Sequence, residues 1–211
     1  MLTGVPSVFV RLAGCPLRCR WCDTKFAWSE SAGEFHTAKE VQKKIQAYPA
    51  QHVVVTGGEP MMHAGLDEFI VGFAGDKHIT IETAGIKYAA NLRCDLMSIS
   101  PKLSNSTPAE VNLAKEHEQQ RLDIKTLQLL IANYDYQLKF VVESEDDIDE
   151  AQACVEALEG VDRGRVFLMP QAKRREELVE KSAMLAEYCE KTGFVLGQRL
   201  HILLWDGARG R

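Results

Sequence analysis

Seven runs of apolar, β-prone residues recur along the chain with helical patterns between them. They are VFVRL (8–12), HVVVTG (52–57), ITIET (79–83), LMSIS (96–100), LKFVVE (138–143), VFLMP (166–170) and a final FVLGQRLHILLW (194–205). Several are continuous rather than alternating, the pattern of strands buried on both faces of a mostly parallel sheet. Between them, TAKEVQKKIQAY (37–48) opens with Thr37 and Glu40 in capping-box spacing, so a helix starts there. GLDEFIVGFAG (65–75), the stretch around IKTLQLLIANY (124–134), EDDIDEAQACVEALEG (145–160) and REELVEKSAMLAEYCEKTG (175–193) supply further helices. The last two end at Gly160 and Gly193, residues suited to a left-handed C-cap. This alternation predicts an α/β wrap, either an open doubly wound sheet or a barrel, with its site at the C-terminal ends of the strands.

Chemistry-bearing segments fall at those ends: TGGEP (56–60), ETAG (82–85), SPK (100–102) and MPQA (169–172). No linker, low-complexity tract or repeat divides the 211 residues, so one domain over 1–211 is expected. KLSNSTPAEVNLAKEHEQQRLD (102–123) is polar enough to read as an excursion or a mobile flap. A 45% hydrophobic and 26% charged composition excludes disordered and fibrous classes. No apolar run approaches the roughly 18 to 20 residues of a membrane span, and no export signal is visible. The formal charge is −5, and the densest basic run, Lys173–Arg175, leads directly into Glu176 and Glu177, which argues against a nucleic-acid partner.

Cysteine usage is lopsided. Cys15, Cys19 and Cys22 form C-x3-C-x2-C directly after the first strand, while Cys94, Cys154 and Cys189 are scattered. That distribution is unlike a secreted disulfide framework and points to a reducing cytoplasm. Cys154 and Cys189 fall on apolar helix faces and read as core fillers, with Cys94 left open. Three alternatives exist for the cluster. Structural zinc needs a fourth ligand, which His36 or Asp23 could supply, but lacks the usual paired spacing. A disulfide would leave an odd thiol. An iron-sulfur cubane on three thiolates leaves one iron open, which a cofactor-binding cluster requires and a four-cysteine electron carrier does not.

The C-x3-C-x2-C spacing, with Trp21 at an often aromatic position, resembles the signature of the radical S-adenosylmethionine superfamily. TGGEP at a strand end resembles that superfamily's motif for the cofactor's amino group. GVPSVFVRLAGCPLRCRWCDTKFAW with VVVTGGEP, IETAG, SISPKLSNS and RLHILLWDGARGR closely resembles the 7-carboxy-7-deazaguanine synthase family nearly end to end. The resemblance implies a shortened, incomplete β/α barrel of the radical S-adenosylmethionine type and a homodimer. It also implies a 4Fe-4S cluster, S-adenosylmethionine, Mg2+ and an electron donor such as flavodoxin or ferredoxin. The implied reaction is conversion of 6-carboxy-5,6,7,8-tetrahydropterin to 7-carboxy-7-deazaguanine with loss of ammonia, in queuosine and 7-deazapurine biosynthesis. The radical is generated on the cofactor, so no side chain is expected to act as the catalyst.

Carried over residue by residue, the resemblance gives the cluster to Cys15, Cys19 and Cys22. It gives S-adenosylmethionine to Trp21, Cys22, Asp23, Gly58, Ser100, Pro101 and Lys102, and with a looser match to Met169, Pro170, Gln171 and Ala172. Magnesium falls to Thr24, whose hydroxyl is a hard oxygen ligand. Substrate falls to Arg11, Thr56 and, through a folded-back tail, Arg211. Family members carry a further N-terminal strand with two substrate contacts ahead of MLTGVPS, so a chain beginning there is expected to bind substrate more weakly. His52, His63, His78 and His201 have no ligand-like spacing, and Glu82 and Thr83 read equally as buried structure or pocket. Two competing functions remain: a glycyl-radical-enzyme activating enzyme acting on a protein partner, and a cluster-binding electron carrier or sensor. The SISPK segment and the tail favour the small-molecule enzyme over the first; GGEP and the open iron speak against the second.

Overall fold

The apolar runs fold into a single seven-stranded sheet in the computed structural model, which describes residues 1–73, 77–206 and 208. The strands are β1 (Ser7–Leu12), β2 (His52–Gly57), β3 (His78–Thr83), β4 (Leu96–Ile99), β5 (Tyr136–Val142), β6 (Val166–Pro170) and β7 (Val195–Leu196). Every neighbouring pair is parallel, and the order in space is the order in sequence. A doubly wound sheet reverses its strand order at a switch point. With no reversal, right-handed crossovers all step the same way and place their helices on one face. Of the two wraps the sequence allowed, this is the barrel type, left open because β1 and β7 are not bonded to each other.

The helices are α1 (Ala38–Gln46), α2 (Leu66–Val71), α3 (Val111–Gln120), α4 (Ile124–Asn133), α5 (Glu145–Glu156), α6 (Arg175–Thr192) and α7 (Leu200–Trp205). The Thr37–Glu40 capping box starts α1 as the spacing predicted. One core lies between helices and sheet: Val53, Val55, Ile79, Ile81, Met97, Ile99, Leu138, Phe140, Val166 and Leu168 meet Ile70, Leu130, Ile148 and Leu185. Cys154 and Cys189 are buried in the same core as fillers, and Cys94 packs at its margin. Because side chains alternate across a strand, the residues between these point to the concave side. There Arg11, Thr56, Glu82, Ser98, Gln137 and Lys139 give a polar lining.

Four expectations change. The final apolar run is a strand only at Val195–Leu196; after Gly197 it becomes α7, because helical spacing lets Ile202 and Leu203 pack on Ala172 and Leu178. Residues 102–123 are a structured clamp, a 3-10 turn at Ser104–Ser106 followed by α3. Helix α2 is shorter than its pattern, ending at Val71. Gly193 caps α6 in the left-handed region at φ 77°, but α5 stops at Glu156, so Gly160 turns the chain beyond it rather than capping it. No helix among the described residues is long and apolar enough to cross a membrane.

Candidate cluster and cofactor site

The cysteine loop leaves the C-terminal end of β1 and is tied to its neighbours by backbone. Gly14 N–H donates to Ala27 O at 2.8 Å and Cys15 N–H to Trp28 O at 3.1 Å, which closes the loop on itself. From the GGEP segment, Gly58 N–H donates to Leu12 O at 2.9 Å and Glu59 N–H to Gly14 O at 2.8 Å. His63, an ordinary residue by its spacing, holds Ala13 O through Nε2 at 2.7 Å. The glycines of GGEP serve this junction. A Cβ on Gly58 would stand 2.0 Å from Gly14 O, and one on Gly57, at φ 141°, 2.0 Å from Leu12 O. Close approach of the loop backbone, rather than of a ligand alone, therefore demands glycine here.

Glu59 lies beneath the loop, fully buried, and ties GGEP to the end of β3. Its carboxylate accepts from Thr83 Oγ1 and Ala84 N, each at 2.7 Å, and from Met61 N at 3.1 Å. Burial pushes its pKa up, opposed by these donors. Thr83 is thereby structural. Glu82 faces the concave side, where Lys139 Nζ bonds it at 2.7 Å and Thr56 Oγ1 at 3.4 Å. The Lys139 ammonium holds the Glu82 carboxyl below its ordinary value.

The three thiols share one small apolar patch with Leu17, Ala84 and Ile86. All six cysteines are free, which removes the disulfide alternative. Three thiolates on one tetrahedral ion with bonds of about 2.3 Å would crowd to roughly 3.8 Å of each other. No three Cys, His, Asp or Glu side chains among the described residues gather to hold one metal ion in this way. The fourth ligands considered for zinc are also engaged elsewhere: His36 contacts Glu34 and Lys44, and Asp23 contacts Arg199. Terminal thiolates of a cubane each bind a different iron and stand further apart, and a patch holding three free thiols with no fourth cysteine suits a cubane with one open iron. Burial pushes Cys15 up to about 11 and raises Cys19 too, so ligation must displace their protons.

Of the residues expected around S-adenosylmethionine, Ser100 and Lys102 lie on the segment that faces Trp21 of the cysteine loop. Ser100 N–H donates to Thr83 O at 2.7 Å, and Lys102 Nζ turns back onto Ser100 Oγ at 2.9 Å. Its ammonium stands 5.9 Å from the Trp21 ring centre. Desolvation lowers the Lys102 pKa, against the pull of Cys19 and Glu59. At the end of β6, Gln171 N–H donates to Val142 O at 2.8 Å. Arg11 neighbours Thr56 in the β1–β2 register and stacks over Phe26 at 5.9 Å. The Thr24 hydroxyl lies 3.5 Å from Cys22 Sγ. Arg211 lies outside the described residues.

Sequence reasoning missed three contributors. Arg199, just before α7, joins Ala172 O at 3.0 Å to Asp23 Oδ2 at 3.3 Å, linking two strand ends; a lone arginine beside an apolar run gave no signal. Asn105 accepts from Trp21 Nε1 at 3.2 Å and from Arg20 Nε at 2.6 Å through its carbonyl. His117, buried on α3, accepts from Arg18 N–H at 3.2 Å. The last two sit in the polar stretch that offered no periodicity to read.

Residues 10–124 match the family model described as the Radical SAM superfamily. The chain is 39% identical to the 7-carboxy-7-deazaguanine synthase of Rhodopirellula baltica, over 99% of this chain and 82% of that protein. It is 37% identical to the protein of the same name from Pyrobaculum aerophilum, over 99% and 90% respectively. Among solved structures, QueE from Escherichia coli superposes with a TM-score of 0.67 at 25% identity, covering 92% of this chain and 85% of that one.

Proposed function

Because this chain belongs to the 7-carboxy-7-deazaguanine synthase family within the radical S-adenosylmethionine superfamily, we propose that it converts 6-carboxy-5,6,7,8-tetrahydropterin to 7-carboxy-7-deazaguanine and ammonia. What carries this reading is identity along almost the whole chain with relatives of that name, from the cysteine loop to the last helix. When bound, the 4Fe-4S cluster and S-adenosylmethionine supply the one-electron chemistry that removes a hydrogen atom from the substrate. Everything else falls to this chain's own side chains.

Cys15, Cys19 and Cys22 hold the cluster. Trp21, Cys22, Asp23, Gly58, the 100–102 segment and Met169–Ala172 bound the S-adenosylmethionine site. Arg11 pairs with the substrate carboxylate through its planar fork; among the described residues no carboxylate pairs with it. Thr56, beside Glu82, hydrogen-bonds the pterin. The Glu82 carboxylate is the acceptor that an amino-bearing pyrimidinone edge calls for, and Lys139 keeps it ionised. Thr24 gives magnesium a hard oxygen, with water and substrate completing the shell. Arg211 is a further substrate-binding residue in this reading. The chain acts as one core domain in a homodimer, served by a flavodoxin- or ferredoxin-type donor; the edge of β1, which pairs with no further strand among the described residues, and the exposed Phe35 support a covering partner.

The test is anaerobic reconstitution followed by incubation with the carboxypterin, S-adenosylmethionine, reductant and magnesium. The expected result is the deazaguanine chromophore with release of ammonia. Enzyme that carries its cluster and cleaves S-adenosylmethionine, yet leaves the pterin unchanged, would overturn the substrate assignment.

A further inference from the structure

The 3-10 turn at Ser104–Ser106 places one side-chain amide between the end of a strand and the cysteine loop. Asn105, half-buried, donates from Nδ2 to Val141 O of β5 at 2.9 Å, and its Oδ1 accepts the Trp21 Nε1–H at 3.2 Å. Neither end can be reversed. A carbonyl only accepts and an indole N–H only donates, so the two partners fix which way the amide points. Trp21 is thus held at its N–H edge by Asn105 and over its ring by Lys102, whose ammonium stands 5.9 Å from the ring centre. The nearby ties to the loop use backbone oxygens instead: Asn105 O accepts from Arg20 Nε at 2.6 Å, and Ser106 O from Arg20 N–H at 2.9 Å. Shortening the Asn105 side chain leaves both oxygens where they are, which separates the amide's task from the general anchoring of the loop.

We propose that Asn105 is a positioning residue for S-adenosylmethionine: its amide ties the Trp21 indole to the end of β5 and so sets how that ring bounds the cofactor site. The cation over the ring face is a contact tolerant of angle, whereas the N–H···O bond is directional, so the amide rather than the ammonium fixes the ring's rotation. The position calls for an amide, because one side chain must donate at one end and accept at the other. A carboxylate would set an oxygen against Val141 O, and alanine would leave both partners open. Asn105 acts on the cofactor through Trp21 and not by contact. The inference rests on the S-adenosylmethionine site proposed above, and cofactor binding by the unaltered chain tests that site on its own.

The experiment compares Asn105→Ala, Trp21→Phe and the double variant with the unaltered chain. In the apoprotein, nitrogen-correlated proton NMR reads the Trp21 indole N–H, identified as the indole signal lost in Trp21→Phe. Asn105→Ala should move that signal and speed its exchange with solvent. After anaerobic reconstitution, Asn105→Ala should take up as much cluster as the unaltered chain, and equilibrium dialysis then reads S-adenosylmethionine binding. Asn105→Ala is expected to weaken that binding about 5-fold, the worth of one hydrogen bond. Trp21→Phe should weaken it at least as much, and adding Asn105→Ala to Trp21→Phe should change nothing further, because both remove the same link. A second loss of similar size in the double variant overturns the proposal. So does an unmoved indole signal, an affinity in Asn105→Ala equal to that of the unaltered chain, or a failure of Asn105→Ala to take up cluster. Should Asn105→Ala not fold, Asn105→Ser, too short to span the two partners, takes its place in every arm. An unaltered chain that carries its cluster but binds no S-adenosylmethionine overturns the site itself, and this inference with it.

Discussion

Replacing Gly58 by alanine separates two reasons for a glycine at this position. If the glycine exists only to admit a cofactor, the cofactor-free protein should not notice a methyl group. The structure says otherwise. The new Cβ would meet Gly14 O at 2.0 Å, Gly14 C at 2.5 Å and Ala27 O at 2.8 Å, all main-chain atoms that cannot rotate aside. Relief requires the Gly14 peptide to move by well over an ångström. That breaks the 2.8 Å bond from Glu59 N–H and disturbs the 2.8 and 3.1 Å bonds that close the cysteine loop on Ala27 and Trp28. Two or three such bonds, each worth about 1 kcal/mol net and more when a buried partner is stranded, give a loss of roughly 3–5 kcal/mol. For a domain of this length that lowers Tm by about 8–15 °C. Thermal unfolding of the apoprotein measures it, with Gly65→Ala as control, since a Cβ there meets nothing within 4 Å. Iron content after reconstitution should fall with the Tm, because Cys15 follows the displaced peptide. A Gly58→Ala apoprotein melting within about 2 °C of the unaltered chain would refute the reasoning, whatever happened to its cofactor affinity.

Arg199→Met cuts the link between Ala172 O and Asp23; losing about 1–2 kcal/mol should speed amide exchange in α7 roughly 5- to 30-fold, and S-adenosylmethionine retention by equilibrium dialysis should weaken with it. Unchanged exchange over 200–205 would count against that link. The Lys139 ammonium depresses the Glu82 pKa, so the pair's contribution is present above the ordinary carboxylate value and is lost as pH falls through the depressed one. Between about pH 6 and pH 3.5, Tm should therefore fall less in Glu82→Gln than in the unaltered chain, and equal falls would refute the pairing. Cys154→Ala should cost about 1 kcal/mol in urea unfolding and leave cluster content intact, whereas Cys19→Ala should abolish cluster uptake with little change in stability.

What the sequence made legible was what local pattern encodes. Continuous valine and isoleucine runs announce buried parallel strands, and Thr37 with Glu40 announces a helix start, because in each case the partners lie within a few residues. The thiol spacing is legible for the same reason. The GGEP glycines were visible but their purpose was not: the atoms that forbid a side chain at Gly58 belong to Gly14 and Ala27, and only the fold brings them there. His117 and Ser106 were invisible for a related reason. Their function lies in bonds to residues almost a hundred positions away, and a polar stretch without periodicity looks the same whether it clamps a loop or covers a surface.

The open edge of the barrel gives these long-range contacts their importance. A closed sheet would hold the strand ends by its own ladder, but here β1 and β7 share no hydrogen bond, and the loop after β1 carries all three thiols. Its position must therefore come from side chains and loops. Glu59 and the GGEP backbone anchor it from β2, Ser106 and His117 grip it beyond β4, and Arg199 reaches it across the gap from β7. Each tie uses a different element, so no single strand determines where the thiols stand. Cluster geometry is then a property of the whole open barrel, and weakening any one anchor should loosen the thiol loop before it unfolds the sheet.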